Sequence, residues 1–200
     1  MLLIGLTGPS GAGKSTVSDV FRRYGLPVLD ADKIYHDLLV PPSDCLSELV
    51  LQFGSKILNP DGTLNRPRLA ELALPDPDRL RALNEIAHRH VLSDIRRRVR
   101  HLQSDGVPAA VLDAPQLFES GADRDCSVIV SVLCSRELRL QRILARDHLT
   151  AEQAERRFNA QHDDKFFRLR SDYIIENDRS AAYLEEQVLS ILRETGAYRP

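Results

Sequence analysis

The chain has 200 residues, of which 42% are hydrophobic and 28% charged, and its formal net charge is −2. This size and composition fit one well-cored globular domain, and the near-neutral charge gives no electrostatic reason to expect a nucleic-acid partner. The three cysteines stand at no metal-binding spacing, which favours a reducing compartment. The amino terminus lacks the pattern of a signal peptide or membrane span, so we expect a cytoplasmic protein without a membrane partner.

The first part of the chain alternates short apolar runs with helical patterns. Residues 2–6 are predicted to form a buried strand, and a helical pattern follows until Gly25. Residues 27–29 are predicted to form a second strand, which ends at Asp30-Ala31-Asp32. Helical spacing then resumes until two prolines end it.

The middle of the chain, residues 43–103, shows helical periodicity without a convincing strand, including a long helix predicted over residues 80–102. Strand patterns return at residues 109–112, 128–133 and 173–175. The helices predicted between and after them cover residues 138–146, 150–158 (opened by a capping box at Thr150) and 183–192.

Strands separated by helices imply a mainly parallel sheet covered on both faces. We therefore predict a single three-layer α/β domain with five strands. Its core covers residues of about 1–42 and 106–200, and a helical insert covers about 43–105.

Residues 8–15, GPSGAGKS, fit the GxxxxGK[ST] pattern of a phosphate-binding loop between a strand and a helix. Glycines allow successive N–H groups to face one concavity, and the positive end of the helix adds to the attraction for phosphate. Lys14 is expected to reach the β- and γ-phosphates, and the Ser15 hydroxyl to ligate Mg²⁺. The expected nucleotide-binding residues of the loop are Gly11, Ala12, Gly13, Lys14, Ser15 and Thr16.

A triphosphate bound in this loop would serve a kinase, a GTPase switch or a motor. The chain has no Asn-Lys-x-Asp guanine-reading motif, and its short length with a single loop disfavours a motor. Asp30 and Asp32 follow the second predicted strand, at the sheet edge where doubly wound folds bind ligands. Strand alternation predicts different roles for them, with one carboxylate accepting the proton of an attacking hydroxyl and one capping the next helix.

Further candidate residues lie later in the chain. Arg142 and Arg146 share one predicted helix face, where nucleotide kinases carry a mobile lid, so we predict a lid over residues of about 136–165. A surface ion pair with Glu137 or Asp147 is the alternative for these arginines. Asp113 ends an apolar strand in the manner of an acid that holds Mg²⁺ through water.

His88 has a structural and a substrate-binding interpretation, both open. It lies two residues from His90, and this spacing on a helix points the two rings apart, which disfavours a zinc site. The arginines at residues 96–98 and 100 are expected to form a solvated helix face.

Taken in order, the motifs resemble those of the dephospho-CoA kinase family. The matching segments cover most of the chain and are residues 6–16, 28–32, 61–66, 83–88, 111–119, Arg142, Arg146-Asp147, Arg157, Gln161 and residues 172–177. The departures from the family pattern are Pro9 in place of glycine, Arg89 in place of proline and Gln116 in place of leucine.

This resemblance implies a P-loop kinase fold and transfer of the ATP γ-phosphoryl group, with Mg²⁺, to the ribose 3′-hydroxyl of dephospho-CoA. It implies Asp32 as the base and the helical insert as the wall of the acceptor site. Arg142 and Arg146 would stabilise transition-state charge from the lid, and Asn177 would lie near adenine. A nucleoside or nucleoside-monophosphate kinase is the nearest alternative function. A non-catalytic nucleotide switch is the alternative from another class of protein. The sequence leaves open whether the chain is a monomer or a small homo-oligomer.

Overall fold

The computed structural model describes residues 1–147 and 150–198. Five strands of this described chain form one fully parallel sheet in the spatial order β2-β3-β1-β4-β5. The strands are β1 (Leu2–Thr7), β2 (Val28–Asp30), β3 (Ala109–Asp113), β4 (Val128–Leu133) and β5 (Tyr173–Glu176). The predicted α/β class with a parallel five-stranded sheet is therefore confirmed.

The helices connect and cover these strands. They are α1 (Lys14–Arg23), α2 (Ala31–Asp37), α3 (Asp44–Phe53), α4 (Arg66–Ala73), α5 (Pro77–Ser104), α6 (Arg136–Asp147), α7 (Ala151–Asn159), α8 (Asp164–Arg170) and α9 (Ala181–Glu194). Short 3₁₀ turns occupy Ser55–Ile57 and Ala122–Asp125. The capping box predicted at Thr150 is present, with the Thr150 side chain and Gln153 each satisfying a backbone N–H of the other.

The sheet core explains why the strands read as continuous apolar runs. Strand β1 lies between β3 and β4, so that Ile4 has Val111 and Val128 as its register partners. Helices α1 and α9 pack onto this sheet through fully buried side chains such as Phe21 and Val188. A parallel strand buried on both faces needs apolar residues at every position, which is the pattern seen in the sequence.

The described chain divides into two compact units. One contains residues 1–30 together with the described residues from 103 onward, and the other is Ala31–Leu102. We expected the helical segment to begin at about residue 43, whereas the helical unit begins at Ala31 and includes α2. Its own core contains Leu49, Ile57 and Ile86, which are buried together.

No described helix combines the length and the apolar character that crossing a bilayer requires.

Candidate active site

The phosphate loop connects the carboxyl end of β1 to the first residue of α1. Because α1 begins at Lys14, the first helical turn contains Lys14, Ser15 and Thr16. The N–H groups of a first turn find no partner within the helix, and the helix dipole makes this end positive. Lys14 is half-buried, whereas Ser15 and Thr16 are exposed. The predicted nucleotide-binding residues therefore lie at an anion-attracting helix end.

Two glycines permit the loop to approach its neighbours closely. Gly8 has φ 140°, and a Cβ added there would lie 2.3 Å from the Val132 carbonyl oxygen in β4. Gly13 has φ 96°, and its added Cβ would lie 2.1 Å from Asn177 Nδ2. Both positions combine a backbone conformation that favours glycine with a space that excludes a side chain.

Arg142 and Asn177, to which the family resemblance gives roles at the nucleotide, both contact the loop backbone. Arg142 Nη1 donates to the carbonyl oxygens of Gly11 and Ala12, at 3.3 Å each, and Nη2 donates to the Asn177 carbonyl at 3.1 Å. The buried Asn177 side chain donates to the Ala12 carbonyl at 2.7 Å. These two residues therefore hold the loop from its carbonyl side.

The hydrogen bonds to the loop carbonyls determine the direction in which the N–H groups of the loop point. Arg139 Nε donates to the carbonyl of Ser10 at 3.0 Å, so the carbonyls of three successive residues are held. In a trans peptide unit the N–H points opposite to the carbonyl. The N–H groups of Gly11 and Gly13 are consequently directed away from the side chains that hold the loop, as a phosphate cradle requires.

The sequence patterns do not single out Arg139, and Gln161, which also contacts Ser10, stands out in the sequence only through the family resemblance. Arg139 lies on the same helix as the predicted lid arginines, but its low exposure shows only in three dimensions. The sequence signal for Gln161 is its match to the family pattern, and the one signal for Arg139 is its position about one helical turn before Arg142.

Asp113 lies at the carboxyl end of β3, beside the start of α1. Its Oδ2 accepts a 2.6 Å hydrogen bond from the hydroxyl of Ser18, which is buried one turn after Lys14. Asp113 is also the register partner of Leu6 in β1 and of Asp30 in β2. A carboxylate is thus fixed at the same sheet edge as the phosphate loop.

The interpretation of Asp30 and Asp32 by strand alternation is wrong. Strand β2 ends at Asp30 and α2 begins at Ala31, so the period-two rule does not extend to Asp32. Asp32 lies instead, exposed, in the first turn of α2, where the helix dipole favours a carboxylate. His88 lies half-buried on α5.

Arg146 does not share the contacts that Arg142 makes with the loop, and it pairs with Asp147 instead. Its guanidinium forms two hydrogen bonds with the Asp147 carboxylate, at 2.6 and 3.0 Å, and Arg157 contacts the same carboxylate. Hydrogen bonds from Arg146 and then from Arg157 hold the pKa of Asp147 well below its ordinary value. The Arg146–Asp147 ion pair, which was the alternative interpretation, is therefore present, and Arg146 itself is mostly exposed.

A glycine-rich phosphate loop at the carboxyl edge of a parallel sheet, followed directly by a helix, defines a P-loop nucleotide-binding protein. Comparison with known proteins narrows this class to a kinase. The dephospho-CoA kinase family model matches residues 2–183, and the chain belongs to this family.

Individual relatives agree with the family assignment. The chain is 38% identical over 194 residues to a dephospho-CoA kinase of Corynebacterium efficiens, covering 97% of each chain. It is 41% identical over 189 residues to a dephospho-CoA kinase of Symbiobacterium thermophilum, covering 92% of this chain and 79% of the relative. The solved dephospho-CoA kinase from Campylobacter jejuni superposes with a TM-score of 0.73 at 26% identity, covering 98% of this chain and 97% of that one.

Proposed function

We propose that this protein transfers the γ-phosphoryl group of ATP to the ribose 3′-hydroxyl of dephospho-CoA, giving CoA and ADP. The observation that carries the proposal is the family match over residues 2–183. The held phosphate loop supports the nucleotide half of the reaction, since its Gly11 and Gly13 N–H groups are directed away from Arg139, Arg142 and Asn177.

The nucleotide site would consist of the loop and the first turn of α1. Gly11 and Gly13 would offer backbone donors, and Ala12 would line the loop between them while its N–H donates to the Pro9 carbonyl at 3.2 Å. Lys14, Ser15 and Thr16 would add side chains and helix N–H groups to the phosphates. Asn177 would serve this site through its hydrogen bond to the loop carbonyl.

Mg²⁺ would be held by Ser15, with Asp113 acting through water. Among residues 1–147 and 150–198 there is no group of three or more His, Cys, Asp or Glu side chains that would hold a metal ion. This donor set fits Mg²⁺, which commonly takes one or two protein oxygens and completes its shell with phosphates and water. The ion would neutralise charge on the β- and γ-phosphate oxygens.

Asp32 would act as the base and contact the acceptor hydroxyl. Its carboxylate takes the hydroxyl proton while the hydroxyl oxygen forms the new bond to the γ-phosphorus, and the bond to the ADP oxygen breaks. Exposure in the first turn of α2 supports this role, because an acceptor hydroxyl can reach the carboxylate there. His88 would contact the acceptor from α5.

Arg142 and Arg146 would stabilise the charge of the transferred group. Arg142 does so beside the loop that it already contacts, whereas Arg146 would have to exchange Asp147 for a phosphate oxygen. We further propose that the enzyme acts in the cytoplasm, since Cys45, Cys126 and Cys134 are all free thiols.

The test is an acceptor panel with Mg-ATP, comparing dephospho-CoA, AMP and adenosine. CoA is the expected product, and phosphorylation of AMP or adenosine instead would favour the alternative kinases. ATP binding without any acceptor product would favour a switch.

The role of Asp32 is tested by Asp32→Asn, which should lower kcat at least ~100-fold with ATP affinity nearly unchanged. Asp37→Asn, at the other exposed end of α2, is the matched control and should keep kcat. Full turnover by the Asp32 variant would remove it from the base role.

A further inference from the structure

We infer that Gln161 is a positioning residue that fixes the phosphate loop through Ser10 and ties the loop to the end of α7. This inference rests on the proposed kinase function. Gln161 Oε1 accepts a hydrogen bond from the Ser10 N–H at 3.1 Å, and Gln161 Nε2 donates to the Ser10 hydroxyl at 2.7 Å. One side-chain amide thus holds both the backbone and the side chain of a loop residue.

The remaining polar group of Ser10 is held by a second side chain. Arg139 Nε donates to the Ser10 carbonyl at 3.0 Å. All three polar groups of Ser10 are therefore hydrogen-bonded, its carbonyl to Arg139 of α6 and its N–H and hydroxyl to Gln161, two residues after the end of α7. Rotation of either peptide unit that flanks Ser10 would break at least one of these hydrogen bonds.

The segment that holds Ser10 is itself well packed. The Arg139 side chain is only 9% exposed, its Cζ lies 4.7 Å from the centre of the Phe158 ring, and Nη1 lies 3.7 Å from Asp164. Phe158 in turn belongs to a buried cluster with Ile143 of α6. A guanidinium packed in this way keeps a fixed geometry. The position of Ser10 therefore depends on the positions of α6 and α7.

This arrangement has a consequence for nucleotide binding. Holding the Ser10 carbonyl directs the next N–H, that of Gly11, away from Arg139. A loop fixed in this conformation before the phosphates arrive loses little further conformational entropy on binding them. Because Gln161 follows α7, inside the segment of about 136–165 that the sequence predicts as a lid, a movement of α7 would also disturb Ser10.

The direct test is Gln161→Met, which keeps the length of the side chain and removes both hydrogen bonds. We expect the KM for ATP to rise about tenfold and kcat to fall several-fold, with the KM for dephospho-CoA within about twofold of wild type. Gln141→Met, on the exposed face of α6, is the matched control and should resemble wild type. In Gln161→Glu the carboxylate can accept from the Ser10 N–H as before, and from the Ser10 hydroxyl once that hydroxyl turns to donate. This variant should restore kcat, while its charge near the phosphates keeps the ATP KM raised at low salt.

A double-mutant cycle separates positioning from general stability. Ser10→Ala removes only the hydroxyl contact, and in the Gln161→Met background it should have almost no further effect on ATP binding. Additive effects, or a KM raised equally for both substrates, would show a merely structural residue and overturn the inference. ATP and dephospho-CoA affinities within about twofold of wild type in Gln161→Met, together with unchanged kcat, would overturn it as well.

ATP affinity is also measured by calorimetry without any acceptor. If the wild-type protein makes no CoA but ATP binding still weakens about tenfold in Gln161→Met, the positioning role stands and the acceptor assignment falls. If CoA is made and ATP binding does not change in the variant, the proposed function stands and the positioning role falls.

Discussion

Replacing Gly8 by alanine tests whether the fit of the phosphate loop against the sheet determines nucleotide binding. An added Cβ would lie 2.3 Å from the Val132 carbonyl oxygen and 3.1 Å from its nitrogen. Val132 is fully buried in β4 and is the register partner of Ile175 in β5. The strand backbone cannot retreat without breaking the sheet, so the loop must move instead.

The size of the effect follows from these distances. An ordinary Cβ contact begins near 3.4 Å, so a separation of 2.3 Å between the Cβ and the oxygen has to grow by about 1 Å. Forcing a side chain into a tightly packed site costs about 1–3 kcal/mol, and the φ of 140° at Gly8 adds about 1–2 kcal/mol for a residue with a Cβ. We therefore expect Gly8→Ala to lower the free energy of unfolding by about 3 kcal/mol, and to lower kcat/KM about 100-fold because the loop donors are displaced.

Gly25→Ala is the control for backbone conformation alone. Gly25 has φ 81°, and a Cβ added there would meet nothing within 4 Å. Its substitution should cost about 1 kcal/mol and leave ATP affinity unchanged. Urea unfolding and calorimetric ATP titration of both variants provide the measurement. Equal unfolding free energies and equal ATP affinities in the two variants would refute the reasoning.

Three further predictions concern the neighbourhood of the loop and the thiols. Arg142→Met should weaken ATP binding about tenfold or more in calorimetric titration, and Arg142→Lys should recover only part of this, because one ammonium group cannot span the three carbonyls that the guanidinium reaches. Ser18→Ala leaves Asp113 without its hydroxyl donor and should lower the free energy of unfolding by about 1–2 kcal/mol in urea, and an unchanged midpoint would contradict the contact. Burial raises the pKa of Cys126 to about 12 and that of Cys134 to about 11, so both should react with a thiol reagent far more slowly in the native than in the unfolded protein, and rapid native labelling near neutral pH would contradict this. Since the folded state keeps these protons, their contribution to stability is present below about pH 9 and is lost as the pH rises towards 11, which urea unfolding at several pH values measures.

The fold was largely predictable because its strands are buried on both faces. The apolar run at residues 128–133 coincides with β4, and the run at residues 109–112 covers all but the last residue of β3. Helix α8 was missed, since its seven residues are too few to show a periodicity and two adjacent phenylalanines obscure it. The start of α5 at Pro77 was also missed, although Asp76 accepts hydrogen bonds from the first-turn N–H groups as a capping residue does.

The candidate site was predictable only where one continuous segment defines it. The phosphate loop is such a segment, because its glycines, Lys14 and Ser15 are all specified within eight residues. The contacts of Arg142 and Asn177 depend on how α6 and the end of β5 approach the loop, and their sequence separations from the loop exceed 100 residues. Asp32 was expected after the second strand and lies there, in the first turn of α2, but the strand alternation used to separate its role from that of Asp30 does not reach it.

The side chains that hold the loop also affect the strength of its phosphate donors. The Ser10 carbonyl and the Gly11 N–H belong to one peptide unit, and the Ala12 carbonyl and the Gly13 N–H belong to another. When a guanidinium or an amide donates to the carbonyl of a peptide unit, it polarises that unit and makes the N–H on the opposite side a better donor. Arg139 acts in this way on the first unit, while Arg142 and Asn177 act on the second. The guanidinium groups of Arg139 and Arg142 therefore strengthen the attraction of the loop for phosphate even where they do not touch the phosphate. This is a physical reason for placing arginines behind a loop whose backbone carries no charge of its own.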